Sequence, residues 1–99
     1  MMSIIKLIDF PKNEHKYLYD RLNKNLPIYT TRIKNEFNRY KKGDVLDTPF
    51  GIKVKVADSI DINDIKQHPF YGQLTKPQRN ILKSERMNVI KLIPTGSYE

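Results

Sequence analysis

The chain of 99 residues contains no cysteine, which excludes a disulfide, a thiolate-held metal and a thiol nucleophile. Its fold must hold by packing. Also missing are a Gly-rich phosphate loop, a Gly-x-Ser-x-Gly elbow and two carboxylates spaced to share one site, so the commonest signatures of phosphoryl and acyl transfer are absent. Histidine occurs only at His15 and His68. Neither has a second imidazole at the spacing of a zinc pair, so no metal is expected, and no cofactor either. Long apolar runs are lacking: the opening MMSIIKLIDF is broken by Lys6 and Asp9, too short and too polar for a signal peptide or a membrane span. A soluble, cytoplasmic protein with no membrane partner is the expectation. No repeat, low-complexity tract or Gly/Ser linker divides the chain, which reads as one domain over 1–94 with a tail over 95–99.

Acidic residues are scarce relative to basic ones, 11 against 18, giving a formal charge of +7 while 38% of the residues remain hydrophobic. That composition supports one modest core and favours polyanionic partners. Lysine outnumbers arginine 13 to 5 and Ile, Asn and Tyr are abundant, a pattern that an AT-rich coding sequence also produces. The densest charge lies within Pro27 to Gly51, where Arg32, Lys34, Arg39, Lys41 and Lys42 face one acid between Arg32 and Lys42, Glu36, with Phe37 and Tyr40 interleaved. Phosphate contact combined with base stacking uses this mixture.

Ile4 to Ile8 form a β-prone segment stopped by Pro11. The spacing predicts a helix over Lys12 to Lys24, with His15, Leu18, Tyr19 and Leu22 on one face, closed before Pro27. Ile28 to Arg32 suit a second strand. Lys42-Gly43-Asp44 and Thr48-Pro49-Phe50-Gly51 are turns bracketing a short strand at Val45 and Leu46. Ile52, Val54 and Val56 alternate with Lys53, Lys55 and Ala57, the pattern of a half-buried strand. Ser59 to His68 reads as a short helical turn. Thr75-Lys-Pro-Gln78 has the spacing of a capping box, which starts a helix over Lys76 to Ser84. Met87 to Ile93 make a closing strand that stops at Pro94. About five short strands with two or three helices indicate an α+β fold, a strongly curled sheet or small β-barrel with flanking helices.

The order of these signals, with Thr30-Thr31-Arg32 and then Tyr40-Lys41-Lys42-Gly43-Asp44-Val45-Leu46, resembles the ASCH domains of the PUA-like superfamily over about Ile4 to Ile93. The resemblance implies a small β-barrel with a cleft near the Thr-x-Arg strand that binds RNA or modified nucleosides. Some small bacterial members are amidohydrolases that deacetylate acetylated cytidine with a lysine, a threonine and a glutamate. The family threonine falls on Thr30 and its arginine on Arg32. The lysine position falls on Pro27, Lys24 lies three residues too early, and the helix from Thr75 to Ser84 carries no glutamate, Glu85 following it.

A threonine nucleophile needs a base to take its proton and a stabiliser for the oxyanion, and Pro27 supplies neither. The residues therefore favour binding over catalysis. Arg32 suits a bidentate phosphate or carboxylate contact, its structural alternative being an ion pair with Glu36 or Asp44. Among the aromatics, Tyr29, Phe37 and Tyr40 are candidates for stacking, with Phe37 assigned to the core and Tyr40 to the surface. Lys53 and Lys55 would extend a phosphate track with Lys41 and Lys42, or else solvate an exposed strand face. His68-Pro69-Phe70-Tyr71-Gly72 would lid a cleft, dock a partner or plug the barrel end.

The leading expectation is non-catalytic binding of RNA or another single-stranded nucleic acid through Arg32, Lys34, Arg39, Tyr40, Lys41, Lys42, Lys53 and Lys55. One alternative is a protein-interaction module, such as a small phage or plasmid inhibitor of a host nucleic-acid-binding protein. The other is a nucleoside amidohydrolase with an altered site containing Thr30 and Lys24.

Overall fold

Proline at position 11 and a short Lys-Asn-Glu turn precede the first helix, and the helix begins only where they end. In the computed structural model, which describes residues 6–95, β1 (Lys6–Leu7) is followed by a 3-10 turn at Lys12–Glu14 and then by α1 (His15–Asn23). The chain continues through β2 (Ile28–Ile33), β3 (Val45–Asp47), β4 (Val54–Ile62), α2 (Lys76–Leu82) and β5 (Met87–Pro94). The strands form one sheet in the order β1-β3-β4-β5-β2; β1 runs parallel to β3 and every other pair is antiparallel. This mixed sheet curls into a half-barrel with two helices, the α+β architecture expected from the sequence. Ile4 and Ile5 of the expected first strand lie outside the described residues, as do positions 96–99 of the expected tail.

Burial follows the strand period on both sheet faces. Val54 and Val56 of β4, Ile90 and Leu92 of β5 and Ile28 of β2 pack with Leu18 and Leu22 of α1. On the other face, Ile62, Met87 and Val89 pack with Leu82 of α2. Because β5 is covered on both sides, Met87 to Ile90 are buried without interruption, the pattern of a central strand. A register shift between Val56 and Asp58 changes the β4 alternation, so Ile62 serves the second face while Val54 and Val56 serve the first. Among the described residues, no fully buried side-chain nitrogen or oxygen lacks a hydrogen-bond partner.

The predicted capping box is present. Thr75 Oγ1 accepts from the Gln78 amide, while Gln78 Oε1 accepts from the Thr75 amide. Both glycine turns form as expected, Gly43 at φ 94° and Gly51 at φ 83°, values in which a β-carbon would be strained.

Three local readings are corrected. Ser59 to Ile62 continue β4 rather than forming a helical turn; only Ile65–Gln67 coil, as a 3-10 turn capped by the Asp64 side chain. The ladder to β5 outweighs the helix-starting character of Asp61 and Asn63, since every residue from Ser59 to Ile62 gains a cross-strand partner. On α1, Tyr19 is exposed and His15 half-buried, because the sheet covers only the narrow stripe of Leu18 and Leu22. The third concerns Tyr40, which is 2% exposed and packed in the first core, not a surface stacker. Its ring fills space below Arg32 and its hydroxyl lies within reach of Glu36 Oε2 at 3.1 Å and the Leu7 carbonyl at 3.3 Å.

Candidate functional site

β2 stands at the end of the sheet, with β5 on one side and, among the described residues, no strand on the other. Successive side chains of a strand point to opposite faces, so Thr30 and Arg32 go toward the α1 side and Tyr29 and Thr31 toward the α2 side. Around this open edge lies a cleft of about 630 Å³, within the range of roughly 300 to 1,000 Å³ typical of small-ligand sites. Asp9, Phe10, Glu14 and Tyr17 wall it from the N-terminal side. His68, Phe70 and Gln73 close it from the long loop, and Gln78 and Ile81 from α2.

Arg32 is the cation of this cleft, and it is 8% exposed. Its Nε donates to Thr30 Oγ1 at 3.1 Å, Nη1 to Glu36 Oε2 at 3.0 Å and Nη2 to the Asp9 carbonyl at 2.8 Å. The guanidinium carbon lies 4.9 Å from the Phe10 ring centre and 5.9 Å from that of Tyr40, distances at which the aromatic quadrupole attracts a cation. Arg32 thus ties the segment after β1 to β2 across the seam that the sheet leaves open. Of its two expected ion-pair partners it takes Glu36. Asp44 belongs instead to Lys6, at 2.8 Å, which together with the Lys41 amide holds its carboxyl below the ordinary carboxylate range.

His68 is buried and uses both ring nitrogens. The Phe70 amide donates to Nδ1 at 3.0 Å, and Nε2 lies 2.8 Å from Thr31 Oγ1. An amide donor on Nδ1 requires a lone pair there, so the neutral ring carries its proton on Nε2 and donates it to Thr31. Burial pushes the imidazole below its ordinary value of 6.5, which favours this neutral form. Phe70 in turn meets Tyr29 edge-to-face, with ring centres 4.9 Å apart, so the loop forms one wall of the cleft. At the rim, Tyr17 is 62%, Tyr29 44% and Ile81 64% exposed, a concentration of apolar surface beside polar groups.

Of the expected binding residues, only Arg32 lines the cleft; Thr30 does so as well, while Lys24, at the end of α1, does not. Lys34, Arg39, Lys41 and Lys42 are exposed on the connection from β2 to β3. Lys34, Lys41 and Lys42 have no ion-pair partner among the described residues, and Arg39 lies over the Tyr40 ring at 5.7 Å. Lys53 is occupied by Asp47 at 2.8 Å, and Lys55 stands half-buried beside it on β4. Phe37, assigned to the core, is instead half-buried beneath the Arg86 guanidinium at 4.9 Å. Sequence reasoning missed Tyr17, Gln73, Gln78 and Ile81, and it read Thr31 only as part of a strand. Their common signal was the aromatic loop His68 to Gly72, expected as a lid, a docking element or a barrel plug, which lies along one side of the cleft.

Fold and cleft together define a small α+β half-barrel with a ligand-sized cleft at an open sheet edge. Comparisons with protein-family models, with curated proteins and with solved structures found no match to the chain.

Proposed function

We propose that the protein binds RNA or another single-stranded nucleic acid without transforming it, taking an unstacked base into the β2 cleft and backbone phosphates on the neighbouring cations. The observation that carries the reading is the exposed rim of Tyr17, Tyr29 and Ile81 around polar strand residues. Water-exposed aromatic faces beside hydrogen-bonding groups suit a flat, polar-edged ring, and base-on-aromatic stacking contributes roughly 1 to 3 kcal/mol per base. Lys34 follows Arg32 by two residues, and Arg39, Lys41 and Lys42 continue the exposed positive charge where phosphates would lie.

Binding without turnover is favoured by how the hydroxyls are held. Thr30 Oγ1 accepts from a guanidinium, which has only donors, and Thr31 Oγ1 accepts from an imidazole whose other nitrogen already receives an amide proton. Neither threonine has a neighbour positioned to remove its proton.

Fluorescence anisotropy with labelled single-stranded RNA, single-stranded DNA and duplex tests the proposal. The variants Tyr29→Ala and the combined Lys34→Gln, Arg39→Gln, Lys41→Gln, Lys42→Gln chain are each expected to bind the single strand at least tenfold more weakly than the native protein. No binding of any strand at low salt, or binding unaffected in both variants, would refute it.

A further inference from the structure

We infer that His68 is a proton-operated latch: its neutral ring ties residues 68–72 to β2 and closes one wall of the cleft, and its protonated ring releases them. Residues 63–74 connect β4 to α2, and among the described residues every backbone hydrogen bond they make closes within the connection itself. Ile65 and Leu74 pack against the second core and anchor its two ends. Between these anchors the connection is held to the sheet by the hydrogen bond between His68 and Thr31 and by the edge-to-face contact of Phe70 with Tyr29. Both depend on one imidazole, because His68 Nδ1 accepts from the Phe70 amide and so sets where the Phe70 ring sits.

A second proton can enter this ring only at Nδ1, since Nε2 already carries the first. The new N–H would then face the Phe70 N–H, donor against donor, and the turn would lose the bond that shapes it. Protonation also places a positive charge on a side chain that is 6% exposed. The charged and titratable groups around it are Tyr29 and Arg32 from β2, Asp9 and Glu14 from the N-terminal side of the cleft, Asp64, Lys66 and Tyr71 from its own connection, and Arg79 of α2, which lies over Tyr71. None of them offsets the charge: burial alone accounts for the lowered pKa of the imidazole. Because the ring lines an open cleft, turning outward would hydrate it. That rotation withdraws Nε2 from Thr31 and carries Phe70 away from Tyr29.

The consequence for binding rests on the reading of the cleft as a base site, whereas the latch itself does not. A base packed against the closed wall favours the neutral ring, and by linkage a protonated His68 weakens the hold on the base.

NMR on the full chain tests the latch by following the His68 ring resonances, the Tyr29–Phe70 ring contact and the protection of the Phe70 amide as the solution is acidified from neutral pH. The ring contact should disappear and the protection fall about tenfold with the midpoint of His68 itself, the scale of a local opening, while contacts across the β2–β5 ladder such as Thr30 to Ile90 persist. In His68→Gln, which has no ring to titrate, the Tyr29–Phe70 contact should not change with pH. A contact that outlasts the His68 titration in the native protein overturns the latch, and this measurement decides alone should the variant fail to fold. Loss of the contact alike in His68→Gln, or unfolding of the β2–β5 ladder before His68 takes its proton, overturns it too. For the link to binding, anisotropy of a labelled single-stranded RNA above and below that midpoint should show an acid loss of affinity about fivefold greater in the native protein than in His68→Gln. Equal losses overturn the link and leave the latch standing; no binding at any pH overturns the base-site reading alone.

Discussion

Removing the Arg32 guanidinium would strand the Asp9 carbonyl, Thr30 and Glu36 together and open the seam between β1 and β2. Arg32→Ala is therefore expected to lower the stability by about 2 to 3 kcal/mol, less than for a fully buried pair because Glu36 is one-third exposed. Urea denaturation measures this, and an unchanged midpoint would contradict the structural role. Arg32→Lys should recover under half of the loss, since one ammonium cannot reach three acceptors on a fixed fork. His68 makes a second residue-level prediction. Its folded form resists protonation while the unfolded ring takes a proton near 6.5, so the unfolded state binds more protons as pH falls. The stabilising contribution is complete above 6.5 and is lost as pH drops from there through the lower, folded value. Denaturation midpoints at pH 7.5 and 5.0 should therefore differ more in the native protein than in His68→Gln.

At the scale of elements, α2 has only seven residues, Lys76–Leu82, and buries only Leu82, so its end contacts carry much of its stability. Thr75→Ala removes the reciprocal cap and is expected to destabilise the protein by about 1 kcal/mol in urea titrations. The helix stops at Lys83, and Ser84 follows at φ 67°, a left-handed conformation that a β-carbon disfavours. Ser84→Gly should raise stability by roughly 0.5 to 1 kcal/mol, and a loss would show that the side chain makes a contact worth more than the strain. The capping spacing was legible in the chain because it is a local pattern of four residues. The continuation of β4 to Ile62 was not, since Ser-Ile-Asp-Ile carries no preference strong enough to outweigh the partner strand it meets.

For the whole molecule, net charge and sheet curvature pull the functional question in different directions. The +7 charge is the excess left after every acid is counted, and ion pairs occupy some of the basic side chains: Lys6 with Asp44, Lys53 with Asp47 and Arg86 with Asp61. The cations without an ion-pair partner among the described residues, Lys34, Lys41 and Lys42, predict salt-sensitive binding. If four phosphates are neutralised on a single strand, log affinity should fall against log salt with a slope of about −3 in anisotropy titrations. A slope near zero would assign the charge to composition. Among the described residues, no helix is long and apolar enough to cross a membrane.

Periodicity and turn chemistry determined the α+β class, most element types, the closing strand β5 and the first half of β4, because each depends on neighbours a few positions apart. The Thr30-Thr31-Arg32 strand and the aromatic loop at His68 were visible as separate signals. Tertiary structure alone decided that they meet. Thr31 and His68 are 37 residues apart and Arg32 and Asp9 are 23 apart, distances bridged only when β2 takes the free edge beside β5. The same placement put Tyr40 inside and Tyr17 outside, for a buried position is set by what packs over it, and that depends on strand order rather than on the side chain's own preference.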